Sequence, residues 1–98
     1  MNEIKPQPVV VTTTHRGVFF GWLGPDTDRS ATTVEITRAQ MCVSWTADVR
    51  SVMGLAATGP SKSCRVGPPV PRLTLQDVTA VIDTTDEAVE RWLAQPWS

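Results

Sequence analysis

From Val9 to Leu23 the chain is dominated by β-branched and aromatic residues, broken chiefly by His15-Arg16-Gly17 and by one glycine, Gly21. Side chains branched at Cβ are stiff at χ1 and sit best on a pleated surface. The stretch therefore predicts two antiparallel strands, Val9–Thr14 and Val18–Leu23. Gly17 supplies the backbone freedom that a tight reversal needs. Gly21 falls where a side chain should pack, and a glycine inside a strand marks a sharp bend or bulge, as the corners of small barrels require. A hairpin bent in its second strand restricts what can follow, because the sheet built on it must curve.

Downstream, Thr32–Arg38 alternates, with Val34 and Ile36 opposite Thr33, Glu35 and Thr37, as a half-buried antiparallel strand does. Met41–Trp45 reads as a fourth strand, with Met41, Val43 and Trp45 on one face and Cys42 and Ser44 on the other. Val49, Val52, Met53 and Ala56 fall at i, i+3, i+4 and i+7, the stripe of a short helix. Thr46 or Asp48 would cap it, and Gly59-Pro60 would stop it. Residues 60–71 hold four prolines and read as a stiff surface connection. Leu73–Ile82 reads as one long strand whose apolar phase slips near Gln76-Asp77, which predicts a bulge. Thr84-x-x-Glu87 has the spacing of a capping box, and Ala88, Val89, Trp92 and Leu93 form the apolar face of a final helix.

The expected fold is α+β: a small, strongly curved antiparallel sheet, or an SH3-like or Sm-like barrel, of about five strands with two short helices. A plain α+β sandwich is the alternative. Residues 1–8, with Pro6 and Pro8 and little apolar content, are expected to form a flexible arm before a single domain over 9–98.

A formal net charge of -1 lacks the positive field that drives non-specific phosphate affinity, which argues against bulk nucleic-acid binding. No run approaches the roughly 18 apolar residues of a spanning helix, so no membrane association is expected. The opening MNEIKPQPVVV has no basic region ahead of a long apolar run, and the expected location is the cytoplasm. That compartment favours free thiols at Cys42 and Cys64, although the two could pair. With one histidine and no C-x-x-C pair, no metal or cofactor is expected. The small net charge also conceals an asymmetry. Across residues 38–72, Arg38, Arg50, Lys62, Arg65 and Arg72 face only Asp48, whereas Asp77, Asp83, Asp86, Glu87 and Glu90 face only Arg91.

Catalysis by a Ser–His–acid or Cys–His arrangement would have to use His15, which sits in a hairpin turn where a solvated side chain is the usual condition. No carboxylate pair is placed in an apolar setting. The chain is therefore not expected to be an enzyme. Gly54–Gly59 followed by Ser61-Lys62-Ser63 has a superficial likeness to a phosphate-binding loop. Pro60 removes one of the amides such a loop needs, and the helix precedes the loop instead of following it.

Binding is the stronger reading. Lys62, Ser63 and Arg65 lie on the proline-stiffened segment, Arg16 on the hairpin and Arg50 at a helix start, and preorganised cations clamp phosphate well. His15 or a tryptophan, Trp22 or Trp45, would contact a base. The alternative places both tryptophans in the core with Val18, Phe20 and Val43. Glu87, Glu90, Arg91, Trp92 and Trp97 give the final helix and the residues after it the character of an interface, to another protein or to a second copy, and a homo-oligomer is expected. The alternative there is an ordinary helix packed on its own sheet.

Six strings carry a family likeness: Thr14-His15-Arg16-Gly17-Val18-Phe19-Phe20-Gly21-Trp22-Leu23, Ala39-x-Met41-Cys42-Val43-Ser44-Trp45, Gly54–Pro60, Cys64-Arg65-Val66-Gly67, Asp77–Val81, and Glu87-Ala88-Val89 through Pro96-Trp97. Together they resemble a family of small uncharacterised proteins of tailed phages and prophages. The resemblance covers nearly the whole chain after the first eight residues, assigns no catalytic residue, and implies a phage accessory gene. Gly17–Met41 also resembles the first half of an Sm-type strand–bend–strand unit, without that family's RNA-binding signature. The expected function is thus a non-catalytic phage accessory protein of the infected cytoplasm, acting in counter-defence by sequestering a host nucleotide-type immune signal. The alternatives are a protein that inhibits a host defence effector, in the manner of an anti-CRISPR, and a minor virion or assembly protein.

Overall fold

The computed structural model describes residues 6–14, 17–25, 27–45 and 52–97. In chain order the elements are β1 (Gln7–Thr13), β2 (Val18–Leu23), β3 (Val34–Ser44), α1 (Val52–Ala57), β4 (Arg65–Val66), β5 (Val70–Leu75), β6 (Val78–Asp83) and α2 (Asp86–Ala94). All strand pairings within the sheet are antiparallel, in the order β4-β3-β2-β1-β6, with β5 pairing β3 beside β4. None of the described helices is long and apolar enough to cross a membrane.

The consecutive valines of β1 follow from burial on both faces of the sheet. Val10 and its partner Phe20 join Val18, Cys42 and Val66 beneath the helices, where Leu55 and Ala56 of α1 and Ala88 and Trp92 of α2 complete a core. Val9 and Val11 point the other way, against Leu23, Val34, Ile36, Ala39 and Leu75. This second core is built from strand residues alone, so the sheet must curl over its own face to enclose it. Trp92 stacks on Phe20 with ring centroids 4.9 Å apart, and its Nε1–H donates to the Leu55 carbonyl at 3.0 Å.

The curl has two local causes. The first is a bulge in β3: Phe20 faces Gln40 while Trp22 faces Thr37, so β3 carries one extra residue there. Arg38 takes a left-handed φ of 49°, a conformation that costs an L-residue roughly 1–2 kcal/mol. Opposite the bulge, a Cβ on Gly21 would lie 2.9 Å from both the Thr37 carbonyl and Ile36 Cδ1, so only glycine fits. The second cause is Gln76-Asp77. Asp77, at φ 56°, turns the chain from β5, on the β3 side of the sheet, to β6, on the β1 side. The two edges are thereby tied together, yet no ladder joins β5 to β6, and the sheet stays open. The strongly curved sheet, and not the closed barrel, is the form adopted.

Several local expectations are corrected. Thr32–Arg38 and Met41–Trp45 are not separate strands but one, β3, because a bulge changes facing without breaking the ladder. Past the bulge the inward residue is Cys42, while Met41 and Val43 are exposed. The phase slip in Leu73–Ile82 is a change of sheet edge at Gln76-Asp77, and the register irregularity nearby lies in β6, where Thr12 faces Ala80 and Thr13 faces Val78. In α1 the buried residues are Leu55 and Ala56, and Met53 faces outward. Leu93 of α2 is exposed as well. The cap of α2 is Thr85, whose Oγ1 accepts from Ala88 N–H at 3.1 Å, while Thr84 Oγ1 donates to the Pro8 carbonyl at 3.0 Å. With Ala88 at the third helical position, no reciprocal glutamate completes a box. β1 begins at Gln7, inside the segment expected to be an arm.

Candidate functional site

A cleft of about 800 Å³ opens between residues 60–63 and the end of α2. Its walls are built from α1 upward. Thr58 and Gly59 both donate to the Gly54 carbonyl, and Gly59 at φ 84° turns the chain out of the helix before Pro60. Thr85 Oγ1 donates to the Ala57 carbonyl at 2.6 Å, pinning the end of α1 to the start of α2. At the other end of α2, Gln95 Nε2 donates to the carbonyls of Ser61 (3.0 Å) and Cys64 (2.8 Å). One glutamine thus clamps both ends of the Ser61–Cys64 turn to the helix terminus, and the Cys64 N–H to Ser61 carbonyl bond closes that turn.

Lys62 and Ser63 from the loop and Arg91 from α2 line the cleft, with Pro60, Ala94 and Pro96 as its apolar part. Among the described residues of the lining there is no carboxylate. Arg91 lies 3.7 Å from Glu87 one turn earlier, with both side chains more than half exposed. Such an exposed pair contributes little, about 0.3–0.5 kcal/mol, and yields readily to a competing anion. Two cations, a hydroxyl and apolar walls suit an anionic ligand with a non-polar body. Behind the loop, burial and the neighbouring Cys64 push the Cys42 thiol up to about 12, so it stays protonated near neutral pH. Both cysteines are free and buried.

The structure brings together Lys62 and Ser63, as the sequence reading grouped them, and adds Arg91, which that reading had placed at an interface. Arg65 sits exposed on β4 opposite Ser44 and does not line the cleft. Trp45 is half-buried against the helix-side core. Trp92, expected at an interface, is fully buried: its indole fills the space between α2 and Phe20 and finds its hydrogen-bond partner inside. Glu87 and Glu90 are exposed on α2, and Trp97 is 62% exposed while its backbone bridges Val66. His15, Arg16 and Arg50 lie outside the described residues.

One arrangement escaped the sequence reading. The Arg38 guanidinium lies over the Trp22 ring, 3.9 Å from its centroid. The signal for it was the break in alternation at Arg38-Ala39, between Ile36 and Cys42, which marks a bulge as readily as a gap between strands.

In comparisons with known proteins, no curated protein and no solved structure matches the chain. Residues 6–92 match the family described as Domain of unknown function (DUF6948), and the chain belongs to that family.

Proposed function

We propose that this protein is a non-catalytic binding module that holds a small phosphorylated ligand of nucleotide type in the cleft between residues 60–63 and α2. The observation that carries this reading is the convergence of Lys62, Ser63 and Arg91 on one cleft, with no carboxylate among the described residues of its lining. A volume of about 800 Å³ lies within the range of small-molecule sites, roughly 300–1,000 Å³. The clamp from Gln95 holds the loop in place before a ligand arrives, which lowers the ordering cost of binding. The likeness to phage and prophage proteins supports a counter-defence setting, in which binding sequesters a host nucleotide signal in the infected cytoplasm.

The test is calorimetry of the purified protein against mononucleotides and cyclic di- and trinucleotides, with chromatography of any ligand released by heating. Saturable binding that weakens at least tenfold in Lys62→Ala and in Arg91→Ala supports the reading. Absence of binding to every member up to millimolar concentration overturns it.

A second reading rests on a different surface. Leu93 and Trp97 are 61% and 62% exposed, and Glu87 and Glu90 are exposed on α2. Exposed apolar side chains and acids on α2 and just after it suit a protein partner, either a host defence effector to be inhibited or a second copy. Light-scattering mass and affinity capture from host lysate separate the two. A stoichiometric partner lost on charge reversal of Glu87 and Glu90 favours the inhibitor.

A further inference from the structure

The strand register assembles a second group of side chains that none of the cleft residues joins. Pro8 faces Trp22 across β1–β2, Trp22 faces Thr37 across β2–β3, and Thr37 faces Arg72 across β3–β5. Directly paired residues share a face, so these four form one row across the sheet. Trp22 stands edge-on to Phe20 at 5.0 Å and packs against the helix-side core, which fixes its ring plane. Arg38, from the bulge beside Thr37, lays its guanidinium on that ring.

Three features of Arg38 are unusual together. It is one of two non-glycine residues with positive φ among those described, and glycine would hold the bulge without strain. It is exposed and makes no ion pair among the described residues. Its Cζ lies over the Trp22 ring on one side, and with the side chain exposed and its N–H groups given no partner among the described residues, the side away from the ring is available to a ligand. Arg72 stands in the same row, and the carboxylate it meets is Glu35 at 3.8 Å, with both side chains more than half exposed. A guanidinium backed by an aromatic ring is a flat, weakly hydrated surface for another planar ring, and a second arginine beside it takes an anion.

We propose that Trp22, Arg38 and Arg72 form a stacking platform for a phosphorylated nucleoside, with the base on the free face of the Arg38 guanidinium and the phosphate on Arg72. The site is distinct from the cleft and independent of the cleft's function. A net charge of -1 directs it to a mononucleotide or a nucleotide end, and not to a long polyanion.

Calorimetry with AMP, GMP, CMP and UMP, set beside adenosine and inorganic phosphate, tests the proposal on the parent protein, Arg38→Gly, Arg72→Gln and Lys62→Ala. Glycine suits the left-handed backbone at position 38, so Arg38→Gly removes the guanidinium without disturbing the bulge, and its melting temperature should not fall. The expected result is a nucleotide-binding event at least tenfold weaker in Arg38→Gly and unchanged in Lys62→Ala, separate from any event at the cleft that Lys62→Ala weakens. In Arg72→Gln, nucleotide binding should weaken while adenosine binding does not. Nucleotide binding undiminished in both arginine variants, or lost only in Lys62→Ala, overturns the platform and leaves the cleft reading intact. No nucleotide binding by the parent protein up to millimolar concentration overturns both.

Discussion

Replacing Gly59 with alanine probes the joint that holds α1, α2 and the cleft together. Gly59 has φ 84°, and a Cβ built on it would lie 2.7 Å from Arg91 Cβ and 3.0 Å and 3.1 Å from the carbonyl oxygen and Cα of Ala88. Two costs add. The left-handed backbone costs an L-residue roughly 1–2 kcal/mol. The steric contacts fall on the α2 backbone and on the base of a side chain, which cannot swing aside, and overpacking of this kind costs about 1–3 kcal/mol. The stiffer unfolded chain of the alanine variant offsets about 0.4–1 kcal/mol of this. For a chain of this size each kcal/mol moves the melting midpoint by about 4–8 °C, so the loss should reach roughly 10 °C. Gly67→Ala is the matched control, because its Cβ would meet nothing nearer than the Met41 carbonyl at 3.9 Å and its φ lies outside the left-handed region. That variant should melt at or slightly above the parent temperature. Thermal melts followed by circular dichroism read both. A Gly59→Ala variant as stable as the parent, or a Gly67→Ala variant equally damaged, would refute the reasoning.

Trp92→Phe keeps a ring against Phe20 but leaves the Leu55 carbonyl without its donor; it should cost about 1–3 kcal/mol in urea unfolding, and an unchanged midpoint would contradict the role of that bond. Cys42 and Cys64, both buried and with Cys42 pushed up to about 12, should react with a thiol reagent far more slowly in the native protein than in guanidinium; equal rates would show that the thiols are accessible. The hydrogen bond from Arg29 holds the Asp83 carboxyl below its ordinary value of 3.8. A depressed folded-state value gives stability that is present above the unfolded value and lost as pH falls through the folded one. Both groups are solvent-exposed, so the loss should stay under about 1 kcal/mol. The parent's urea midpoint should therefore approach that of Asp83→Asn as pH falls through the carboxylate range. A gap between the two that persists or widens in acid would contradict the sign.

Much of the fold was legible because it is written in local chemistry. Val9–Val11 and Val18–Leu23 are strands by side-chain shape, Gly21 marks a bend by lacking a Cβ, and Gly59-Pro60 can only end a helix. What stayed hidden is what depends on partners distant in sequence. Met41 and Val43 alternate as well as Gln40 and Cys42 do, and only the helix layer decides that Cys42 is the buried one. Trp92 and Leu93 are equally apolar neighbours on α2, but Phe20 receives one of them and solvent the other. The slip at Gln76-Asp77 was visible, yet a bulge and a change of sheet edge leave the same trace in one dimension. The site followed the same rule: the cations of the loop were evident, and their meeting with Arg91 was not, because it requires Gln95 to dock the loop on α2.

The two-residue tie between β5 and β6 also bears on the order in which the chain acquires its structure. β1, β2 and β3 follow one another as a meander and can pair as each emerges, but both outer edges of that meander then stand open. They are the edges of β3 and β1, and each needs a partner that is synthesised much later. Those partners arrive together on residues 70–83, so protection against edge-to-edge association comes late and for both flanks at once. A fragment ending before residue 70 would leave both flanks of the meander unpaired, whereas one ending after residue 83 would have both paired, with β5 and β6 as the new edges.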